Sequence, residues 1–196
     1  MTDIYLCRHG RTQFNVAGLL RGRLDPGLDL IGVAEARDLA RHLGGLGIAR
    51  VIASPLLRAV ETATPIAQAA GVPLETDQRL IDRDYGEFNG TAQADLIARY
   101  GSLDVAPGVE PRDGVVRRAQ EALDELAASP ATGPLVVVSH DAVVRLVLDA
   151  LTPIPIDGGH LPPRTGSWSL LRHDADGWQL VVANRKDDPF ETVLAR

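Results

Sequence analysis

The chain has 196 residues and a mass of 21.0 kDa, a length that suits one domain with an appended cap better than two independent cores. Hydrophobic residues make up 45% and charged residues 23%, which is ordinary globular usage and excludes a disordered tail or linker. Twenty basic residues against 26 acidic ones give a formal charge of -6. Nucleic acid and anionic membranes are therefore not expected as partners.

The residue types that occur only once exclude several further kinds of site and of protein. The single cysteine, Cys7, cannot form an intramolecular disulfide or a cysteine-rich metal site. The single lysine, Lys186, precedes Asp187, whereas a Walker phosphate loop needs lysine followed by serine or threonine. No apolar run approaches the roughly 18 to 20 residues of a membrane span, and the first residues lack the basic flank of a signal peptide. We therefore expect a cytoplasmic protein.

The first part of the chain alternates predicted strands and helices. Residues 4–7 form a short apolar run that indicates a buried strand ending in a polar loop. Residues 30–46 carry apolar side chains near helical spacing, and glycines follow. Residues 51–53 then indicate a second strand, and residues 56–70 a second helix. This alternation is typical of a parallel sheet.

The second part adds a cap and a hairpin. Residues 74–76 indicate a short strand, and residues 92–100 and 114–128 indicate helices that are expected to form a small cap beside the sheet, with the cap insertion at about 84–116. Residues 134–139 are a continuous β-branched run, as in a strand covered on both faces, and a helix follows at 143–151. Residues 167–173 and 178–183 flank a turn sequence and indicate a hairpin. The predicted fold is α/β: a mostly parallel central sheet flanked by helices, with a small helical cap insertion and a late β-hairpin, all within one domain over residues 1–196.

Two histidines directly follow the most strand-like segments. His9 comes after residues 4–7, and His140 after residues 134–139. If both strands are central and parallel, the two imidazoles lie at the same edge of the sheet, where open α/β sheets bind ligands. Arg8 and Arg58 can reach that edge, and their planar guanidiniums suit phosphate oxygens. The pattern predicts a local anion site.

At these residues the sequence resembles a known family. The block Arg8-His9-Gly10-Arg11-Thr12, with Asn15 three residues on, resembles the R-H-G-x-T-x-x-N signature of the histidine phosphatase superfamily, which has the phosphoglycerate-mutase-like fold. The phosphatase branch is the expected one. Further matches follow in the same order, at Arg21-Gly22, Ser54-Pro55-Leu56-Leu57-Arg58-Ala59, Glu61-Thr62-Ala63, Asp84-Tyr85-Gly86-Glu87-Phe88-Asn89-Gly90 and Val138-Ser139-His140.

The resemblance implies roles for individual residues. His9 would be the nucleophile that becomes phosphohistidine, and Asp82 the proton donor, with Glu87 as the second candidate for that donor. Three residues would bind the phosphoryl oxygens and count among the catalytic set: Arg8, Arg58 and His140. The expected substrate-binding set adds Asn15, Arg21, Gly22 and Asp141 to these three.

The chemistry of phosphoryl transfer agrees with these roles. Two arginines and a histidine supply positive charge around the equatorial oxygens, so neither a metal nor another cofactor is expected. His9 must present an unprotonated nitrogen, which is easiest if a backbone carbonyl holds its other ring N–H. We expect a metal-independent phosphomonoesterase, and as its partner a small phosphorylated metabolite; no segment specifies an oligomeric state.

Two other functions remain open at this point. One is a phosphoglycerate mutase, and the other is a non-catalytic phosphate-binding regulatory module that retains the pocket. Arg11, Arg21 and Arg23 are either solvated charges or a second anion site. Substrate specificity is expected in residues 84–116 and in the loop 152–164.

Overall fold

A computed structural model describes residues 1–151 and 162–186, and its centre is one six-stranded sheet. In the order β3-β2-β4-β1-β5-β6, the first four strands are parallel, and the last two are antiparallel to their neighbours. The predicted mostly parallel sheet with a late hairpin is confirmed. The strands are β1 (Thr2–Arg8), β2 (Arg50–Ala53), β3 (Leu74–Thr76), β4 (Leu135–Ser139), β5 (Trp168–Asp174) and β6 (Gly177–Arg185).

Six α-helices lie within the described residues. The helix predicted for 30–46 ends earlier, at Leu43, because the glycine-rich segment behind it does not continue the helix. The helix predicted from residue 143 begins two residues earlier, at Asp141. The first helix has only four residues and was not predicted. The helices are α1 (Gln13–Val16), α2 (Leu30–Leu43), α3 (Leu57–Ala70), α4 (Gln93–Tyr100), α5 (Arg112–Ala128) and α6 (Asp141–Leu151).

Helices cover both faces of the sheet. Side chains alternate along a strand, so β1 sends Ile4 and Leu6 into the core beneath α5 and α6, and Cys7 into the core beneath α2 and α3. All five residues of β4 are buried, as the β-branched run predicts for a central strand. The two helical layers leave the carboxyl ends of β2, β4 and β1 together at one edge.

The cap region has its own small apolar cluster. The cap region contains α4 and two 3₁₀ turns, Gly86–Phe88 and Leu103–Val105. Four of its buried side chains come from the insertion, Tyr85, Phe88, Leu96 and Ala106, and one, Leu20, comes from the segment before it. The predicted small helical cap is present beside the sheet edge that carries the two histidines, but α5, which begins at Arg112, packs against the sheet and is not part of the cap.

Most of the loop predicted to govern specificity, residues 152–161 of 152–164, lies outside the described residues, as do residues 187–196. Across 1–151 and 162–186, none of the helices has the length and apolar character that a membrane crossing requires.

Candidate active site

The two histidines meet at the carboxyl ends of neighbouring strands. β1 and β4 pair in parallel with Arg8 opposite Ser139, so His9 and His140 occupy the next positions along. The His9 N–H donates to the Ser139 carbonyl at 2.9 Å, and the centroids of the two imidazole rings lie 5.2 Å apart. Both side chains are fully buried. The predicted convergence on one edge of the sheet is confirmed.

The backbone orients the His9 ring. Its Nδ1 lies 2.6 Å from the Gly10 carbonyl oxygen; because a carbonyl can only accept, Nδ1 carries the hydrogen and Nε2 holds the lone pair. Burial, followed by the neighbouring His140 and then by the positive charges of Arg58, Arg21 and Arg8, holds the pKa of His9 well below its ordinary value. The ring therefore stays neutral at neutral pH with Nε2 available as a nucleophile, as the sequence analysis required.

Close backbone packing fixes this loop. The Gly10 N–H donates to the Thr62 hydroxyl at 2.9 Å, and a Cβ at position 10 would lie 2.5 Å from the Gly32 carbonyl oxygen. Only glycine fits at position 10 without moving α2, so the glycine of the Arg8-His9-Gly10 block serves packing.

His140 is held from the opposite side. Its Nε2 lies 2.7 Å from the Ser54 hydroxyl oxygen, which follows β2. The Leu56 N–H points at the same oxygen at 3.4 Å. Among the described residues the Ser54 hydroxyl has no acceptor other than His140 Nε2, so we place the hydroxyl hydrogen on that bond and the ring hydrogen on Nδ1. Burial, with Arg58 and Arg21, holds the pKa of His140 well below its ordinary value. A neutral His140 thus presents an N–H donor on the side of Asp82, whose Oδ2 lies 3.8 Å from Nδ1.

Arg58 reaches the site from the first turn of α3 and is fully buried. Its guanidinium donates to the carbonyls of Leu24 and Gly22 at 2.8 and 3.0 Å, and to Asp82 Oδ2 at 3.0 Å. That carboxylate oxygen is also 3.8 Å from His140 Nδ1. Asp82 therefore sits beside both the cation and the second imidazole.

Five buried side-chain nitrogens in the described part of the chain have no hydrogen-bond partner, and all five belong to this cluster. Buried polar groups are normally paired, so a set of convergent unpaired nitrogens marks a place for a ligand. Four of them belong to donor groups and one carries a lone pair, a combination that suits an anion with several oxygens around an electrophilic atom. They are Arg8 Nε, His9 Nε2, Arg21 Nε, Arg58 Nε and His140 Nδ1.

A cavity of about 550 Å³ adjoins this cluster, and two of its residues, Arg8 and Arg21, line the cavity. Its size lies within the range of about 300 to 1,000 Å³ seen for small-molecule sites. Five residues of the predicted set line it, Arg8, Asn15, Arg21, Asp82 and Asp141, together with Leu19, Leu20, Tyr85, Gln93, Arg145 and Pro162 among others.

Comparison with known proteins agrees with this geometry. Residues 4–186 match the histidine phosphatase superfamily (branch 1). The chain belongs to this family. A 2,3-bisphosphoglycerate-dependent phosphoglycerate mutase of Methylobacterium sp. (strain 4-46) is 35% identical over 175 residues, covering 79% of this chain and 84% of that protein. A solved mycobacterial glucosyl-3-phosphoglycerate phosphatase, in complex with VO3, has a TM-score of 0.83 and 27% identity, covering 95% of this chain and 100% of that one.

Other relatives in the family are longer. The bifunctional protein Rv2228c of Mycobacterium tuberculosis is 32% identical over 163 residues, which is 76% of this chain but 45% of that protein. The chain thus spans less than half the length of that relative.

Several predicted residues lie away from the cavity wall. Gly22 contributes only its carbonyl, which accepts from Arg58. Glu87, the second candidate for proton donor, is exposed on a 3₁₀ turn and does not line the cavity. Arg11 pairs with Asp29 at the start of α2, at 2.8 Å. Arg23 faces Asp84 and Glu110 at the cap, at 3.8 and 3.6 Å. Of the three ambiguous arginines, only Arg21 reaches the site.

Sequence reasoning missed one supporting residue, Arg118 on α5. Its guanidinium donates to the carbonyls of Arg79, Ile81 and Asp82 at 2.7, 2.5 and 3.2 Å. Glu110 accepts from the same guanidinium at 2.9 and 3.2 Å. Arg118 therefore holds the backbone that ends at Asp82, and nothing in its local sequence signals that role. Within the described residues, no group of three or more His, Cys, Asp or Glu side chains is arranged to hold a metal ion.

Proposed function

We propose that the protein is a metal-independent phosphomonoesterase that hydrolyses a small phosphorylated metabolite through a phosphohistidine at His9. The observation that carries this proposal is the convergence of unpaired donors around one nucleophilic nitrogen. A phosphoryl group offers three equatorial oxygens to such donors. The guanidiniums of Arg8, Arg21 and Arg58 and the Nδ1–H of His140 supply hydrogen bonds and charge that a metal provides elsewhere.

In the first step, His9 Nε2 attacks phosphorus. The new N–P bond forms as the bond from phosphorus to the ester oxygen breaks, and Asp82 gives a proton to the leaving alkoxide. The proton can come from the substrate, because a monoester monoanion carries one and the Asp82 carboxylate can take it up. Asp82 Oδ2 lies 3.0 Å from Arg58 Nη2, so the acid stands beside a group that also binds the phosphoryl oxygens.

In the second step, water attacks the phosphohistidine from the position that the leaving group vacates. Asp82 accepts a proton from the water, the N–P bond breaks, and inorganic phosphate leaves with His9 neutral again. Asp82 thus acts as acid and then as base. Asp82 and Tyr85 both line the cavity, so water that enters the cavity can reach the carboxylate.

A mutase remains the second candidate, because a 35% identical relative carries that name. The two activities are separated by incubating the protein with 3-phosphoglycerate and measuring both isomerisation and release of inorganic phosphate. We expect phosphate release to dominate.

Substitution of the nucleophile tests the proposal. We expect His9→Ala to abolish turnover of p-nitrophenyl phosphate, and we expect EDTA to leave wild-type turnover unchanged. His173→Ala is the matched control, because His173 pairs with Thr2 at the opposite end of β1 and should keep full activity. Turnover retained in His9→Ala would refute the mechanism, whereas vanadate binding without turnover in the wild type would indicate a non-catalytic phosphate-binding module.

A further inference from the structure

The cavity is lined by one guanidinium that the phosphoryl chemistry does not use. Arg145 lies on α6, four residues after Asp141, and its half-buried side chain faces the cavity. Two arginines of the phosphoryl-binding cluster have carboxylate partners, since Arg8 pairs with Asp141 at 3.1 Å and Arg58 with Asp82 at 3.0 Å, and Arg21 belongs to the same cluster through its unpaired Nε. Among the residues that the structure describes, Arg145 has no hydrogen-bond or ion-pair partner.

Arg145 stands apart from the phosphoryl-binding cluster. The cations that most lower the pKa values of His9 and His140 are Arg8, Arg21, Arg58 and, for His140, Arg118. Arg145 is not among them, although it shares the cavity. Arg145 lines the cavity but is not one of the buried, unpaired nitrogens of the cluster, so its charge is available to the part of a bound ester beyond the phosphoryl group.

We propose that Arg145 is a specificity-determining residue that binds a carboxylate on the leaving group of the substrate. This inference rests on the phosphomonoesterase activity proposed above. A guanidinium presents parallel donors that match the two oxygens of a carboxylate. A half-buried cation without a partner among the described residues is also costly to leave unpaired. An anionic group on the substrate would pair it.

The neighbours of Arg145 favour a carboxylate over a second phosphate. Asp141 lies one helical turn before it and Asp82 lies across the same cavity, so a doubly charged group would face more repulsion than a singly charged one. Apolar surface from Leu19, Leu20 and Pro162 also lines the cavity. This surface suits a short carbon skeleton between the phosphate and the carboxylate.

Two phosphate esters that differ at one group test the assignment. 3-Phosphoglycerate carries a carboxylate where glycerol 3-phosphate carries a hydroxymethyl group. Each is used as a competitor of p-nitrophenyl phosphate hydrolysis, so the measurement does not depend on either being turned over. We expect wild type to be inhibited by 3-phosphoglycerate about 10- to 100-fold more strongly, which is the range for a charge-assisted hydrogen-bonded pair.

Arg145→Gln should remove that preference, with the inhibition constant for glycerol 3-phosphate changed less than about threefold. Arg117→Gln is the control, because Arg117 is an exposed arginine of α5 that does not line this cavity; it should keep the wild-type preference. A propane-1,3-diyl bisphosphate inhibitor tests the second-phosphate alternative.

The inference is overturned if wild type shows no preference for the carboxylate, if Arg145→Gln weakens both inhibitors equally, or if the bisphosphate binds more tightly than 3-phosphoglycerate through Arg145. These results leave p-nitrophenyl phosphate turnover through His9 intact. Loss of the proposed function itself would instead appear as no turnover in wild type, or as turnover that survives in His9→Ala.

Discussion

The hydrogen bond between Ser54 and His140 gives a sharp test of how the site is organised. The Ser54 hydroxyl oxygen lies 2.7 Å from His140 Nε2, and both residues are fully buried. In Ser54→Ala the buried nitrogen loses its partner, which costs about 1 to 3 kcal/mol of the free energy of unfolding. Because the hydroxyl also keeps the ring hydrogen on Nδ1, we expect a second, catalytic effect.

The catalytic effect follows from the two tautomers of neutral imidazole. Without Ser54 the hydrogen can move to Nε2, and Nδ1 then repels a phosphoryl oxygen instead of donating to it. Losing a charge-assisted hydrogen bond of about 1.5 to 3 kcal/mol lowers kcat/KM by about 10- to 100-fold. The assays are kcat/KM for p-nitrophenyl phosphate, the Kd for vanadate, and unfolding in urea.

Ser139→Ala separates the two effects. Ser139 is equally buried, but its hydroxyl donates to the Leu80 carbonyl at 2.8 Å and does not contact an imidazole. It should lose similar stability while kcat/KM changes by less than about threefold. The reasoning is refuted if Ser54→Ala keeps its kcat/KM within that margin, or if the two variants lose activity equally.

Three further predictions concern the acid, its support and pH. Asp82→Asn should lower kcat for an alkyl phosphate by about 10²- to 10⁴-fold. The initial burst of p-nitrophenol from p-nitrophenyl phosphate should change much less, because that leaving group needs no proton. Glu87→Gln should change neither rate, and an equal loss with both substrates in Asp82→Asn would argue against the role of Asp82 as the acid. Arg118→Lys loses most of the contacts to the Arg79, Ile81 and Asp82 carbonyls, so kcat for the alkyl ester should fall several-fold while the Kd for vanadate is unchanged. A rise in the vanadate Kd by the same factor as the fall in kcat would contradict a role confined to positioning Asp82. The buried histidines should make the free energy of unfolding depend on pH, because their pKa values in the folded protein lie well below the ordinary 6.5. Below pH 6.5 the unfolded chain therefore binds more protons than the folded protein. The histidine contribution to stability is complete above that pH, and as the pH falls toward the folded pKa values the folding equilibrium constant drops by up to about tenfold per pH unit for each histidine. Urea unfolding from pH 8 to pH 5 should show a shallower slope for His9→Gln than for wild type, and equal slopes would contradict the assigned burial effect.

The strands and the helices on either face could be predicted because their apolar patterns are strong and local. β1 and β4 are short buried runs that end in polar residues, and the parallel arrangement brings their carboxyl ends to one edge. The four-residue helix α1 could not be predicted, because it is held by a capping box between Thr12 and Asn15 and not by an apolar face.

The site could be predicted only in part, because local sequence patterns mark some of its residues and not others. His9 and His140 could be predicted because each directly follows a strand-like segment. The partners of Arg11, Arg23 and Arg145, by contrast, depend on which surfaces meet in three dimensions. Arg11 and Arg23 find carboxylates at α2 and at the cap, and Arg145 finds none among the described residues. Nothing in the local sequence distinguishes these cases.

The central claim is that phosphate passes through His9 Nε2, and it is tested most directly by trapping the intermediate. Asp82→Asn should slow its hydrolysis, so this variant is mixed with p-nitrophenyl phosphate, quenched in base within milliseconds, digested and examined by mass spectrometry. The account predicts an acid-labile phosphoryl group on the peptide that contains His9, located on that imidazole. A phosphoryl group found instead on a serine or an aspartate, or steady turnover with no phosphorylated peptide at any time, would contradict it.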